Sequence, residues 1–354
     1  MLGALCDSLS TEESEFCKIA DLPMKISNHM EKVLSNLFAD YNKTGDLSNF
    51  LALRKQLVPS VQEKNILQEE LSDPLGANKY QVTGRLIHQY KNRVLLLTTA
   101  KCFSYCRYCF RRSYTAHEDG WITDSEIEDV CLYLRNHTEV QEILFSGGDP
   151  LTVSNEKLLN LINKIREANP NILIRICTRA PIFAPERITN DLIQLLKQCR
   201  PLWIILHVNH PVEISEEFSA ESFNVLKSLI DAGISIQSQT VLLKDINDSV
   251  EILAKLFHKL TCLGIKPGYL FQGDLAAGTS HFRVQIEEGV NLYESLRKEL
   301  SGLSTPVYAV DLPGGGGKIN LLQLNPSLLE TEVLRNSKNY SFKKKDGSTW
   351  FYPV

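Results

Sequence analysis

The feature that most constrains the fold is a repeated alternation of short strand-like runs with longer helical runs between residues 94 and 300. Six runs rich in β-branched and apolar residues predict strands at 94–99, 142–146, 172–178, 203–208, 234–242 and 268–272. Segments with helical periodicity lie near 124–136, 154–168, 187–198, 220–231, 248–263 and 285–300. Repeated strand–helix units predict a parallel sheet with crossover helices. The fold class is therefore α/β, and periodicity alone leaves open an incomplete barrel and a doubly wound sheet.

The segments on either side of this region have different patterns. The first 75 residues predict amphipathic helices, because apolar residues recur at helical spacing at Ile26, Met30, Val33, Leu34 and Leu37. After residue 300 a further strand is predicted at 306–312, and the tail from Ser341 onward is predicted to form a hairpin. The expected organisation is a helical region, a core and a C-terminal segment, at 1–75, 76–300 and 301–354.

Composition excludes several classes of protein. Hydrophobic residues make up 43% of the chain and charged residues 23%, which is typical of a folded chain with a core and excludes wholesale disorder. The 38 basic residues are balanced by 42 acidic ones, which argues against a nucleic-acid binder with a basic surface. No apolar run approaches the roughly 18 residues that span a bilayer, and the first residues lack the features of a secretory signal. We therefore expect a cytoplasmic protein with no membrane or nucleic-acid partner.

Three of the nine cysteines form a tight cluster. An odd number of scattered cysteines does not describe a disulfide framework. Cys102, Cys106 and Cys109 have the spacing C-x3-C-x2-C, and three thiolates can hold three irons of a [4Fe–4S] cluster while the fourth iron stays open. A structural zinc site needs four ligands, and the nearest further candidate is His117. Spacing alone therefore leaves open an iron–sulfur cluster and a zinc site that uses a distant histidine.

Polar sequences also follow the predicted strands. They are the cysteine segment, Ser146-Gly-Gly-Asp149, Thr178-Arg179, Asn209-His210 and Gly273-Asp274. Ligands bind at the carboxyl ends of the strands in parallel sheets and barrels. This convergence favours an enzyme over a scaffold.

Four glycines precede Lys318. The Leu at position 312 and the Ile at position 319 exclude a Walker A phosphate loop. One interpretation is a flexible turn with a solvated lysine. The other is a loop whose glycines let the backbone approach a planar cofactor, with a lysine able to bind that cofactor covalently.

As an ordered set, these motifs resemble the lysine 2,3-aminomutase family of radical S-adenosylmethionine (SAM) enzymes over about residues 73–320. The segments that carry the resemblance are RVLLL from Arg93, CRYCFRR from Cys106, FSGGDP from Phe145, HVNHP from His207, QTVLL from Gln239 and HFR from His281. The resemblance implies a partial (β/α)6 barrel of the TIM type with a helical N-terminal extension and a short C-terminal appendage. It also implies an isomerase that shifts an amino group between adjacent carbons, with conversion of L-lysine to β-lysine as the expected reaction.

The family's cofactors and site residues transfer by matching position. The resemblance places a [4Fe–4S] cluster on Cys102, Cys106 and Cys109. It places SAM near Ser146, Gly147, Gly148, Asp149 and His207. It assigns pyridoxal 5′-phosphate (PLP) to the catalytic Lys318, with phosphate contacts from Arg93 and Gln239.

The same matching implies a site for the substrate. Arg111 matches the arginine that binds the substrate carboxylate, a role that suits a planar guanidinium. Asp274 and Asp311 match two aspartates that hold the distal ammonium of lysine. Their alternative role is loop capping, and the alternative for His207 is a core histidine. Gln89 departs from the family, since many relatives carry a basic residue there.

The resemblance implies a small-molecule amino-acid substrate and a one-electron donor such as flavodoxin or ferredoxin, and it leaves homo-oligomer formation open. Two other functions stay open at this point. One is an aminomutase that makes β-lysine for attachment to elongation factor P. The other is a non-catalytic iron–sulfur or zinc-binding module, in which Lys318 and the two aspartates would have no purpose.

Overall fold

A nine-stranded sheet forms the centre of the protein. The computed structural model describes residues 10–116, 120–321, 331–336, 338–344 and 346–353. The strands of the main sheet are β1 Leu86–Tyr90, β2 Arg93–Thr99, β3 Glu142–Gly147, β4 Leu173–Thr178, β5 Leu202–His207, β6 Ser235–Val241, β7 Lys266–Phe271, β8 Val307–Leu312 and β9 Gly317–Asn320. They are hydrogen-bonded in sequence order, with β2 to β8 parallel and the edge strands β1 and β9 antiparallel to their neighbours.

Ten α-helices are described. They are α1 Thr11–Ile19, α2 Asn28–Thr44, α3 Ser48–Leu57, α4 Asp124–Asn136, α5 Asn155–Ala168, α6 Ala180–Phe183, α7 Asn190–Gln198, α8 Ala220–Asp231, α9 Val250–Cys262 and α10 Ile286–Glu299. Several begin at a side chain that accepts a backbone N–H, as at Ser27, Thr123, Ser154 and Ser249. No described helix has the length and apolar character needed to cross a membrane.

The predicted partial (β/α)6 barrel is confirmed. Each of β2 to β7 is followed by a crossover helix, which gives six strand–helix units. No pairing joins β1 to β9 in the described part of the chain, so the sheet is open there. The sequence analysis missed β1 and β9, because LIHQY is polar in its second half and GKIN is only four residues long.

The two faces of the barrel strands differ in burial. Along β2, β3, β4 and β6, fully buried residues alternate with half-buried ones. The half-buried set includes Leu95, Ser146, Cys177 and Gln239, all of which line one internal cavity. The outward set packs under the helices in the hydrophobic core. The barrel interior is therefore shaped for ligands, whereas the layer between strands and helices holds the fold together.

The helical N-terminal region packs against this core. The predicted apolar face of α2 is confirmed, since Met30, Val33, Leu34 and Leu37 are all buried. Ile26 lies before the helix, which begins after the cap residue Ser27.

The predicted C-terminal hairpin is also confirmed. Its strands are β11 Asn339–Lys344 and β12 Thr349–Pro353, and a third strand, β10 Thr331–Arg335, extends it into an antiparallel sheet. Tyr352 on β12 donates a hydrogen bond to the backbone oxygen of Gly273. The small sheet thus contacts the loop that follows β7.

Candidate active site

One cavity of about 590 Å³ lies inside the barrel. Pockets of this size hold ligands as large as nucleotides and drug-like molecules. Every residue that the sequence analysis named for a site lines it: Arg93, Cys102, Cys106, Cys109, Arg111, Ser146, Gly147, Gly148, Asp149, His207, Gln239, Asp274, Asp311 and Lys318. These residues come from strands that are far apart in the chain, and the curvature of the open barrel brings them to one space.

The cysteine loop follows β2 and is held by the N-terminal region. The Lys25 side chain donates to the backbone oxygen of Cys102 at 2.6 Å, and the backbone N–H of Tyr105 donates to the Lys25 oxygen at 2.9 Å. The backbone N–H of Arg107 donates to the Gln56 oxygen at 2.9 Å. Because the loop has no strand or helix of its own, these contacts fix its shape.

A buried ion-pair cluster reinforces this attachment. Both carboxylate oxygens of Glu63 accept from the Arg107 guanidinium, at 2.9 and 2.6 Å, and Arg112 adds a contact at 2.7 Å. Burial raises the pKa of Glu63, but the two guanidinium groups outweigh it and the pKa lies below its ordinary value. Two arginines of the cysteine segment are thus tied to one carboxylate of the N-terminal region.

Cys102, Cys106 and Cys109 lie on one loop and all line the cavity. In the described part of the chain, no group of three or more His, Cys, Asp or Glu side chains is arranged to hold a metal ion. Three thiols without a fourth are a donor set that suits a [4Fe–4S] cluster, in which each sulfur would bind a different iron. Burial raises the pKa of the Cys102 and Cys109 thiols, so iron that binds them would have to displace their protons. His117 lies outside the described residues.

The Gly-Gly-Asp motif after β3 brings two chain segments together. Gly147 has a φ of +113°, and a Cβ at Gly147 or Gly148 would collide with the backbone oxygen of Thr99 or Lys101. The glycines therefore let the end of β3 lie against the start of the cysteine loop. The Asp149 carboxylate accepts from the Thr178 hydroxyl and from backbone N–H groups, which makes it a brace between the ends of β3 and β4.

The two histidines after β5 have different surroundings. His207 lines the cavity beside Tyr108, and burial together with the charge of Arg179 lowers its pKa to about 3, so its ring is neutral. The buried His210 is not among the cavity-lining residues and accepts the backbone N–H of Val212 at 3.3 Å. The role of a core histidine, which was the alternative for His207, is therefore filled by His210.

Lys318 lies on β9, directly opposite Asp311 on β8. Its ammonium donates to the Asp311 carboxylate at 2.8 Å and lies 3.7 Å from the centre of the Phe271 ring. Its backbone N–H donates to the Tyr90 hydroxyl at 3.0 Å. Pairing of β8 with β9 and the contact with the Phe271 ring thus hold the lysine in place. The interpretation as a flexible turn with a solvated lysine is wrong.

The glycines before Lys318 pack against protein. A Cβ on Gly315 would lie 2.8 Å from the Tyr80 ring, and one on Gly316 would lie 2.6 Å from Trp350. A Cβ on Gly76 would lie 2.6 Å from the Gly314 backbone. The glycines therefore allow the loop to pack against the turn before β1 and the C-terminal sheet, and the approach of the loop to a planar cofactor stays a prediction.

Two ionisable side chains of the cavity make no hydrogen bond or ion pair in the described part of the chain. They are Arg111, whose guanidinium lies 4.7 Å from the centre of the Phe110 ring, and Asp274. Burial and the nearby charge of Asp311 raise the pKa of Asp274 to about 8, although Lys318 and Arg111 oppose this, so its carboxyl is protonated at neutral pH in the empty cavity. Burial lowers the pKa of Arg111. A cation bound beside Asp274 would stabilise its ionised form, and an anion bound beside Arg111 would offset the cost of burying its charge.

Arg93 and Gln239 line the same space. The Arg93 guanidinium stacks 4.0 Å from the centre of the ring of Tyr90, the residue whose hydroxyl accepts the backbone N–H of Lys318. Gln239 pairs with Tyr269 in the sheet. Both are compatible with contacts to an anionic group of a cofactor beside Lys318.

The sequence analysis did not assign several residues of the cavity. Arg175, Tyr269 and Phe271 line it, and Arg179 contacts Cys106. Strand alternation could have identified Arg175, Tyr269 and Phe271, because alternate residues of β4 and β7 face the cavity and these three occupy such positions. Arg179 sits in the Thr-Arg pair that was singled out after β4 but given no role.

Comparisons with known proteins now bear on this geometry. A family model for the radical SAM superfamily matches residues 96–257. A putative L-lysine 2,3-aminomutase of Treponema pallidum is 48% identical over 85% of this chain and 84% of its own length. The chain belongs to the lysine 2,3-aminomutase family. The family uses a [4Fe–4S] cluster, SAM and PLP. The chain is therefore a radical SAM isomerase whose substrate is a free amino acid.

More distant relatives differ in name and length. L-lysine 2,3-aminomutase of Clostridium subterminale is 40% identical over 75% of this chain, but the match spans 63% of that enzyme. Glutamate 2,3-aminomutase of Clostridioides difficile is 33% identical over 75% of this chain and 62% of its own length. The chain thus matches less than two thirds of the length of these two relatives. Family membership also leaves the choice of amino acid to be argued from the cavity.

Proposed function

We propose that this protein is an L-lysine 2,3-aminomutase. The observation that carries the proposal is the charge pattern of the cavity: an unpartnered Arg111, and an unpartnered Asp274 close enough to Asp311 for their charges to interact. A lysine has a carboxylate for the arginine and a distal ammonium for the aspartates. An ammonium that leaves water costs several kcal/mol unless countercharges receive it.

The cofactor residues in this proposal are those of the cavity wall. Cys102, Cys106 and Cys109 hold the cluster, and Lys318 holds PLP with Arg93 and Gln239 near the phosphate. SAM lies along Ser146, Gly147, Gly148, Asp149 and His207. When bound, the reduced cluster supplies the electron that cleaves SAM to a hydrogen-abstracting radical, and PLP supplies the π-system on which the nitrogen migrates.

The chain's own groups select and orient the substrate. The Arg111 guanidinium can donate two hydrogen bonds to one carboxylate. No other side chain of the described part of the chain takes up these donors. Asp311 is paired with Lys318 in this structure, so a substrate ammonium competes with Lys318 for it, whereas Asp274 has no competing partner. Glutamate would instead bring a second carboxylate towards the charged Asp311, which would repel it, and towards an Asp274 that its negative charge would keep protonated.

The electron donor and the location belong to the same proposal. Two exposed lysines lie beside Cys102: Lys101 precedes it in the chain, and Lys25 donates to its backbone oxygen. They offer a basic surface for an acidic electron carrier such as flavodoxin or ferredoxin. Such a carrier is a cytoplasmic partner, which is consistent with the expected location. Homo-oligomer formation stays a prediction from the resemblance.

The test is product analysis after anaerobic reconstitution with iron, sulfide, SAM, PLP and a chemical reductant. L-lysine, L-arginine, L-glutamate and L-alanine are supplied separately, and β-amino acids are quantified by mass spectrometry. We expect β-lysine as the main product, with arginine a poorer substrate because its guanidinium is bulkier. Comparable turnover of glutamate or alanine would contradict the assignment of the two aspartates.

A further inference from the structure

We propose that Arg179 is a positioning residue for the iron–sulfur cluster that raises the reduction potential of the cluster through its contact with Cys106. Its guanidinium donates to the Cys106 sulfur at 3.1 Å. The inference rests on the proposed cluster ligation by the three cysteines. It adds a residue that neither binds iron nor belongs to the cysteine motif.

The guanidinium is enclosed on several sides. Only 6% of the Arg179 side chain is exposed, its plane lies 4.1 Å from the centre of the Phe183 ring, and Tyr108 and Glu213 accept its N–H groups. A guanidinium held this way cannot swing away from the sulfur without breaking a buried ion pair. The contact with Cys106 is therefore built into the fold.

Glu213 is itself fixed by the loop after β5. One of its oxygens accepts the backbone N–H groups of Asn209 and His210, at 3.3 and 3.0 Å, and the Gln56 amide at 3.1 Å. The other oxygen accepts Arg179. Asn209 also donates to the Tyr108 hydroxyl at 2.6 Å. The Thr178-Arg179 and Asn209-His210 sequences, which the cofactor assignments leave without a role, thus meet in one network behind Cys106.

The physical effect follows from charge. Hydrogen bonds to the ligand sulfurs and nearby positive charge stabilise the more negative, reduced form of an iron–sulfur cluster, and so raise its potential. The buried carboxylate of Glu213 partly offsets the positive charge of Arg179. Removing the arginine should lower the potential, whereas neutralising the glutamate alone should raise it.

The variants separate this effect from a loss of structure. Arg179→Met alone would leave Glu213 as a buried charge without its partner, so the main variant is the double substitution Arg179→Met/Glu213→Gln. It leaves the net charge unchanged and retains an acceptor for the backbone of Asn209 and His210. Glu213→Gln alone retains the arginine. Arg166→Gln is the matched control, because Arg166 donates to the backbone oxygens of Cys199 and Pro201 and contacts no cluster ligand.

The measurement is a redox titration of the reconstituted cluster followed by electron paramagnetic resonance, without SAM, PLP or substrate. We expect the double variant to reduce about tenfold less readily, a fall of about 59 mV for one electron, and Glu213→Gln to shift upward. Arg179→Lys should lie between the double variant and the wild type. An unchanged midpoint in the double variant, or shifts of the same sign in both, would overturn the inference.

Iron content and circular dichroism are measured first for every variant. If the double variant does not retain its cluster, the upward shift of Glu213→Gln decides the question, and no shift there refutes the role of Arg179. A wild-type protein that assembles no cluster would contradict the proposed cluster ligation and this inference together. A wild-type cluster with normal iron content and no response to the variants would contradict this inference alone.

Discussion

The cavity has two ends that differ in how their charges are compensated. At the cysteine end, Arg107 and Arg112 are paired with Glu63, and Arg179 is paired with Glu213, all of them buried. At the lysine end, Lys318 is paired with Asp311 and Arg175 with Glu142, whereas Arg111 and Asp274 make no ion pair in the described part of the chain. The side chains at the cysteine end are therefore paired before any cofactor binds. Those at the lysine end would be fully paired only after a ligand of opposite charge binds.

This difference matches two kinds of ligand. A cluster stays bound through many turnovers, so the ion pairs that hold the cysteine loop do not have to break in each catalytic cycle. A substrate must enter and leave, so the groups that recognise it have to be free in the empty protein. In the proposed function, Arg111 and Asp274 provide that recognition because they are held in place by the fold without being paired to other side chains.

The largest expected effect is at the cysteine end. Cys106→Ala should abolish cluster assembly and SAM cleavage, because the remaining two thiols cannot hold three irons. Iron and sulfide analysis of anaerobic protein and detection of 5′-deoxyadenosine measure both losses. Cys262→Ala is the matched control, since Cys262 is exposed and lies outside the cavity lining. If Cys106→Ala kept a full iron complement, the ligand assignment would be wrong.

The second effect tests whether Lys318 is the residue that holds PLP. Borohydride treatment of the PLP-loaded protein should attach the cofactor to the peptide that contains Lys318. Lys79 and Lys344 are the internal competitors, because they donate to the backbone oxygens of Gly314 and Gly316 in the same loop. Lys318→Arg keeps the charge beside Asp311 but cannot form the covalent bond. It should lose aminomutase activity while retaining its cluster, and an adduct on Lys79 or Lys344 would overturn the assignment.

At the cysteine end, sequence patterns predicted the strands and helices but not the contacts that hold the cysteine loop in place. The strand–helix alternation predicted a parallel sheet with crossover helices but left open a barrel and a doubly wound sheet, and the family resemblance supplied the (β/α)6 barrel. Glu63 and Gln56 were not anticipated as supports of the cysteine loop. They are about 40 to 50 residues before it, and no local pattern marks a contact that depends on tertiary packing.

At the lysine end the residues were predicted but their environment was not. Cross-strand pairing of Lys318 with Asp311 requires a hairpin in which Pro313 and the three glycines at 314–316 form the turn, and the four-residue β9 gives no periodic signal. The lack of a partner for Asp274 could not be inferred either. It depends on which side chains fail to reach it, and sequence spacing does not contain that information.

The third effect concerns substrate charge. Asp274→Asn should lower kcat/KM for lysine by an amount equivalent to about 2–5 kcal/mol, the usual cost of leaving a buried ion without its partner. Asp311→Asn should cause a similar loss and also free Lys318. Steady-state kinetics with lysine measure both variants, and Asp231→Asn, on the outer helix α8, is the control. Variants as active as the wild type would show that the two aspartates are structural.

The last effect is on stability rather than on activity, and its pH dependence follows from the raised pKa of Asp274. In the unfolded chain this carboxyl loses its proton near its ordinary value of 3.8, whereas in the folded protein it keeps the proton up to about pH 8. Between these values the folded state binds more protons than the unfolded state, so stability falls as pH rises. Above about pH 8 the penalty is constant. The groups that set this pKa are Asp311, Lys318 and Arg111.

Asp274→Asn removes the titrating group and with it the penalty. In the protein without cofactors, the melting temperature of Asp274→Asn should therefore rise relative to wild type as pH increases from 5 to 8. The difference should then level off. Parallel thermal unfolding curves of the two proteins at closely spaced pH values measure it, and Asp231→Asn should show no such trend because Asp231 is exposed. A difference that stayed flat across this range would mean that Asp274 has an ordinary pKa and a partner already, and that the lysine end is as complete as the cysteine end.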